Sequence, residues 1–267
     1  MYTIRSYEKV KSLEEAYELN QKKTSTIIGG GMWLRLGSRA IGTAIDLSDL
    51  GLNRIEETEE AFIIGCMASL RDIECHEGLN RYFHGMMKEA MKGIVGTQFR
   101  NTATIGGSIY QRFGFSDPLT AFLALNTTVE FYKAGEIPMA QFAGMDYDRD
   151  VLVRIRIKKD GGQAAYQSFR NTKTDFPVLT AAASRAEGKW RVAVGARPAR
   201  AVLVETAETL SPEPSEEEIK AFAAKASEDL AFGTNMRASK EYRKVLAEVL
   251  IERAVKHVLD LAISGER

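Results

Sequence analysis

The chain is poor in the residues that usually build metal sites. Only Cys66 and Cys75 occur among 267 residues. Two thiols cannot by themselves make a four-thiolate zinc or iron–sulfur centre. Their spacing matches no metal signature, so a reduced, intracellular protein is the expectation. His76, His84 and His257 are too few and too scattered to add one, and His76 and His84 read as turn or surface positions. An excess of one charge is also missing. Lys plus Arg and Asp plus Glu number 36 each. That leaves no basic surplus for nucleic acid and little self-repulsion to oppose a protein partner. No apolar run is long enough to span a membrane. Met1-Tyr2-Thr3-Ile4-Arg5 lacks the apolar core of a signal peptide, and a cytoplasmic location is expected. There is no Gly-x-Ser-x-Gly elbow. Residues 29–37 lack the Gly-Lys-Ser/Thr ending of a Walker loop and the Gly-x-Gly-x-x-Gly spacing of a Rossmann fingerprint. No catalytic side chain is assigned.

What the chain does have is glycine at two separated places. One stretch runs Gly96-Thr97-Gln98-Phe99-Arg100-Asn101-Thr102-Ala103-Thr104-Ile105-Gly106-Gly107-Ser108-Ile109. Without Cβ atoms, Gly106 and Gly107 let the main chain turn sharply or approach a ligand closely. Thr102, Thr104 and Ser108 bring hydroxyls to the same segment. Amides and hydroxyls together can cradle phosphate without a lysine. The other cluster, Gly29-Gly30-Gly31, follows the apolar run Thr26-Ile27-Ile28. Either loop alone is also what a tight turn looks like. Two of them, far apart in sequence, suggest one long ligand held between.

Apolar residues make up 45% of the chain, enough for a real core in one to three domains. Periodicity predicts a strand–helix–strand–strand unit first, with a capping box at Ser12 and Glu15. Its strands fall at residues 26–28, continued by Trp33 and Leu34, and at 43–47. A second unit follows from Ile55. It has a strand at 59–65, a helix capped by Ser69, a single helix over 81–92 filled with methionines as core residues, and a helix after Ser116-Asp117-Pro118. Strands at 128–132 and 151–157 complete it, the latter alternating cleanly. Asp160-Gly161-Gly162 marks a boundary. Beyond it, residues 164–170 lead into a helical reading of 176–185, a turn at Glu187-Gly188-Lys189, a strand at 190–195 and a segment at 199–207 packing beside it. A capping box opens at Ser215, and a long amphipathic helix covers 239–261. By spacing, Arg170, Lys173 and Asp175 form a surface ion cluster or a set of charges beside an electron-accepting ring. Trp33 reads as a core anchor or an aromatic wall. Asp117 reads as a helix cap or an acceptor for ribose or adenine.

Four motifs in order resemble the FAD-binding medium subunit of the molybdenum hydroxylases, the xanthine dehydrogenase and carbon monoxide dehydrogenase type. They are Ile28-Gly29-Gly30-Gly31-Met32-Trp33-Leu34, the 98–109 stretch, Ser116-Asp117-Pro118 with the helix after it, and Phe169-Arg170 through Pro177 with residues 239–246. The resemblance spans nearly the whole chain. It implies an α+β (mixed α/β) protein. Two subdomains, 1–54 and 55–160, would hold FAD in a vanillyl-alcohol oxidase/PCMH-type fold. An α+β C-terminal domain of the CO dehydrogenase flavoprotein type, 161–267, with three antiparallel strands and a helical bundle, would cover the flavin side. Ile28, Gly29, Gly30, Gly31, Met32 and Trp33, with Thr102, Thr104, Ile105, Gly106, Gly107 and Ser108, would hold the pyrophosphate region. Asp117 would touch the adenosine part and Lys173 would lie near the isoalloxazine. The FAD would be non-covalent, since neither glycine loop contains His or Cys.

The resemblance further implies partner subunits carrying 2Fe-2S clusters and the molybdenum cofactor, with electrons passing through FAD to NAD+ or another acceptor. The favoured substrate is a purine such as xanthine, with nicotinate, aromatic aldehydes and carbon monoxide left open, bound on another chain. Met32 and Trp33 replace the family's common Thr-Asp pair, Ser108 stands where Asn is common, and the 136–150 connection is short. The cysteines of the branch with an inserted cluster are absent. Two other readings are a stand-alone flavin-dependent reductase or oxidase, and a scaffold that has lost the cofactor.

Overall fold

The computed structural model describes residues 2–206 and 208–265. It contains three sheets, which fall in succession along the chain. The first unit is β1 (Thr3–Lys9), α1 (Leu13–Asn20), β2 (Ser25–Ile28) and β3 (Ala40–Asp46). These strands form a parallel sheet in the order β1-β3-β2. Ser12 caps α1 by accepting from the Glu15 amide at 3.1 Å, and Glu15 reaches back to the Lys11 amide. Trp33 and Leu34 do not prolong β2. Gly31 takes φ +67°, a region that glycine enters without Cβ strain, and the chain turns away into a 3-10 turn over Leu34–Leu36.

The second unit is an antiparallel sheet in the order β4-β5-β8-β6-β7. Its strands are β4 (Ile55–Glu57), β5 (Ala61–Gly65), β6 (Thr127–Phe131), β7 (Gly135–Pro138) and β8 (Leu152–Lys158). Val153, Ile155 and Ile157 of β8 are buried, while Arg154 and Arg156 are half-buried, as a one-sided strand requires. Between β5 and β6 run α2 (Leu70–Cys75), α3 (Glu77–Tyr82), α4 (Met86–Lys92), α5 (Thr97–Thr102), α6 (Ile105–Tyr110) and α7 (Asp117–Ala124); α8 (Met139–Gly144) follows β7. The single helix expected over 81–92 is in fact broken. His84 and Gly85 adopt φ 49° and 81°, which ends α3 and restarts the chain as α4. Met86, Met87 and Met91 are core residues, as the apolar pattern predicts. The glycine-rich stretch expected as open loop is also largely helical: α5 and α6 are single short helices joined by Ala103 and Thr104.

The third unit holds β9 (Gln163–Phe169), β10 (Leu179–Ala186), β11 (Lys189–Gly195) and β12 (Val202–Leu203), followed by α9 (Glu216–Asp229) and α10 (Lys240–Gly265). The sheet has four antiparallel strands, β12-β11-β10-β9, rather than three. Within the 199–207 segment, Val202 and Leu203 pair with β11; Ala207 lies outside the described residues. The reading of 176–185 as helical is wrong. Its alanines favour helix, but tertiary packing overrides that preference. Ala181 and Ala183 pack in one core with α9 and α10, and Ala182 packs in the other with α7. Small side chains let a strand lie between two helical layers. Thr120 on α7 and Thr180 on β10 share a buried hydrogen bond of 2.9 Å.

Beneath the glycine-rich helices lies a buried ion pair. Arg100 of α5 reaches Glu74 of α2 through Nε (2.7 Å) and a second guanidinium nitrogen (3.1 Å), and Arg71 adds a contact at 2.9 Å. Burial pushes the Glu74 carboxyl up, but the hydrogen bonds and charges of Arg100 and Arg71 outweigh it, and the net pKa lies below the ordinary 4.5. A depressed acid contributes stability above its unfolded pKa and loses it as pH falls through the folded one. Glu74→Gln, which leaves the Arg100 charge buried without a counter-charge, should cost about 3–5 kcal/mol at neutral pH. In urea titrations, the gap from wild type should narrow as pH drops below 4.5.

Candidate functional site

The two glycine clusters meet. A Cβ built on Gly30 would lie 1.8 Å from the Thr102 carbonyl oxygen, and one on Gly29 would lie 2.3 Å from Thr104 Oγ1. The loop after β2 therefore rests directly on the α5–α6 junction, Gly30 against the Thr102 main chain and Gly29 against the Thr104 side chain. Among the described residues, the amides of Gly30, Gly31, Met32 and Trp33 donate to no protein acceptor. That leaves four consecutive half-buried donors, an arrangement suited to an anion.

The second cluster uses its donors differently. The Ile105 amide donates to Ala68 O (2.9 Å) and the Gly106 amide to Cys66 O (2.8 Å). Gly106 is buried, and a Cβ there would meet Cys66 O at 2.6 Å. Its lack of a side chain serves packing against the 66–68 segment. Thr102 donates its hydroxyl to Gln98 O and Ser108 donates its hydroxyl to Thr104 O. Thr104 Oγ1 accepts from the Gly107 amide at 3.3 Å. Of this cluster, Thr104, Gly106 and Gly107 line a cavity of about 290 Å³ between the first and second units.

That cavity also carries residues not anticipated from sequence. Ser25, Tyr110 and Arg149 line it. The Ser25 hydroxyl is buried without a partner. Arg149 bridges the units by donating to Lys22 O (2.7 Å) and Ser25 O (2.9 Å). Contacts across more than a hundred residues leave no local signal. Burial pushes the Cys66 thiol up to about 12. Tyr110 also rises to about 12, through burial and then the Asp148 charge. Neither group ionises near neutral pH.

On the other side of the loop is an aromatic cluster. The Trp33 ring lies 5.6 Å from Phe99, 6.0 Å from Phe113 and 5.2 Å from Phe115, and stacks on Phe176 at 5.5 Å and 29°. The cleft among these rings and Ser108, Asp117 and Asp175 is about 50 Å³, well below the roughly 300 Å³ of a small-molecule pocket. Trp33 is thus a packed wall. Asp117 lines this aromatic side. It is buried and accepts from the Tyr166 hydroxyl (2.5 Å) and from Arg170. Burial raises its carboxyl pKa; Arg170 and Tyr166 offset only part of that. Burial and the Asp117 charge push the Tyr166 hydroxyl well up. Lys173 is exposed and lines neither cavity. The cation at this wall is Arg170, which is not part of a surface cluster with Lys173. Asp175 pairs instead with Arg237 at 3.0 Å.

Among the described residues, no group of three or more His, Cys, Asp or Glu side chains is placed to hold a metal, and no helix is long and apolar enough to cross a membrane. The family described as "FAD binding domain in molybdopterin dehydrogenase" matches residues 2–157. The chain belongs to that family. The "CO dehydrogenase flavoprotein C-terminal domain" matches residues 164–258. The nicotine 6-hydroxylase medium subunit of Paenarthrobacter nicotinovorans is 26% identical, over 93% of this chain and 95% of its own. The glyceraldehyde dehydrogenase medium chain of Sulfolobus acidocaldarius is 24% identical, over 95% and 98%. The fold matches a chain of carbon monoxide dehydrogenase from Hydrogenophaga pseudoflava with TM-score 0.85 at 22% identity, covering 96% of this chain and 97% of that one. This FAD-binding medium-subunit homologue therefore has the expected mixed α/β architecture. Gly30→Ala, which drives a methyl into Thr102 O, should separate the two loops. FAD binding measured by calorimetry should weaken at least about tenfold, while far-UV circular dichroism stays near wild type.

Proposed function

We propose that the chain is the electron-transfer subunit of a heteromeric molybdenum hydroxylase. It would accept electrons from 2Fe-2S clusters on one partner subunit and pass them to NAD+ or another acceptor, with the molybdenum cofactor on a third chain. The row of free amides at residues 30–33, in the loop seated on the α5–α6 junction, carries this reading. It fits the most highly charged part of FAD, because four main-chain donors can face the pyrophosphate with no carboxylate among them. Gly107 and Thr104 would complete that contact from the facing side. The replacement of Thr-Asp by Met32 and Trp33 does not disturb it, since the donors are main-chain.

The cavity walled by the first two units would take the adenosine, with the orphaned Ser25 hydroxyl as one partner. The aromatic side, walled partly by the third unit, would face the isoalloxazine. Arg170 rather than Lys173 would supply the nearby positive charge, and Asp117 would act by holding Arg170. We keep 1–54, 55–160 and 161–267 as the functional units. Bound FAD supplies exchange of one or two electrons; the chain binds, orients and shields it. Two free cysteines suit a reducing cytoplasm. The relatives' names include nicotine and glyceraldehyde, which accords with substrate choice lying on another subunit; for this complex we propose a purine such as xanthine.

The purified chain should take up FAD non-covalently and show flavin absorbance. Affinity capture from its native cells should recover an iron–sulfur and a molybdenum subunit. A colourless, folded chain unable to take up FAD would leave only the scaffold reading. FAD uptake with no partner recovered would favour a stand-alone reductase or oxidase.

A further inference from the structure

The loop bearing the free amides is held by its carbonyls and its ends: Gly31 O and Trp33 O accept from the Arg35 and Leu36 amides. Gly30 and Gly31 carry the backbone freedom of glycine, and the four amides make no protein hydrogen bonds among the described residues. Ordering such a segment on binding costs affinity unless the free protein already orders it. One end is fixed where Gly30 meets Thr102. The other end is Trp33, and its stacking partner, Phe176, belongs to the C-terminal unit.

Phe176 is itself clamped. The Arg237 guanidinium lies over its ring, 4.8 Å from the centroid. Arg237 pairs with Asp175 at 3.0 Å. The Asp175 carbonyl accepts from Arg170 at 3.2 Å, and Arg170 is anchored to buried Asp117. Gly93 leaves room for that guanidinium: a Cβ there would lie 2.9 Å from Arg170 Nε. A chain of contacts thus runs from α7 through the 170–176 loop to the amide row.

We propose that Phe176 is a positioning residue for the cofactor: by stacking on Trp33, the C-terminal unit holds the 29–33 loop in its anion-binding shape. This rests on assigning the amide row to the pyrophosphate. ADP is the decisive probe, because it carries a pyrophosphate and no isoalloxazine and so cannot report a direct contact between Phe176 and the flavin. In the full chain, Phe176→Ala should weaken ADP and FAD binding in parallel, each by about tenfold. It should also speed amide hydrogen exchange within 29–36 before any ligand is added, at Arg35 and Leu36, whose amides donate to Gly31 O and Trp33 O, with β3 unchanged. Phe176→Tyr should restore both.

Unchanged ADP affinity beside weakened FAD binding would overturn the proposal, as would unchanged exchange at Arg35 and Leu36. If Phe176→Ala fails to fold, Phe176→Leu, apolar but unable to stack, carries the same comparison. A wild-type chain that binds neither FAD nor ADP would sink the pyrophosphate assignment and the proposal with it. A wild type that binds both, beside a variant with wild-type ADP affinity, would sink the proposal alone.

Discussion

The structure depends on a contact made possible by two glycines that carry no side chain. Gly29 and Gly30 lie so close to Thr102 and Thr104 that even a methyl group would enter the space of an oxygen atom. Arg149 and the Trp33 rings also tie the first unit to the second, and the close approach of Gly29 and Gly30 to the α5–α6 junction lies between the cavities on either side. Glycine is needed here for proximity, and only at Gly31 for a left-handed turn. The absence of Cβ atoms thus shapes the site twice: once in joining two units, and once in the left-handed turn at Gly31.

The two clusters divide the work unequally. In the 102–108 segment most polar groups are satisfied internally, by the 66–68 strand exit or by the helix's own turns. That segment is a rigid bed, held from below by the Glu74–Arg100 pair. The 29–33 loop, lying on it, keeps its donors free. A rigid support beneath a loop with unused hydrogen-bonding capacity is how a binding site is preorganised without burying unsatisfied charge.

Much of this was legible in the chain and some was not. Ile28 through Trp33 and the 98–109 stretch announced a two-loop site, because glycine, hydroxyl and apolar runs are local patterns. The alternation of β8, the Ser69 cap and the capping box at Ser215 are local too, and they stand as read. What failed depended on distant partners. Ala181, Ala182 and Ala183 read as helix because nothing nearby says that helices press on both sides of them. Asp117 read as a cap, but Ser116 caps α7, and the partners that hold Asp117, Tyr166 and Arg170, come about fifty residues later. Phe99, Phe113, Phe115 and Phe176 carry no common spacing, so their convergence on Trp33 is visible only once the chain is folded. The break at His84 and Gly85 was signalled by a glycine, but the apolar positions on either side keep a helical period across it.

The placement of β10 has a consequence for how the molecule comes apart. Its successive alanines serve two cores at once, so the C-terminal sheet is a party wall with no free side. Fraying it would strip solvent protection from α7 as well as from α10, and a break starting in either half would expose the other. Such coupling makes separate foldons unfavourable, and denaturation should run through all three sheets as one cooperative event.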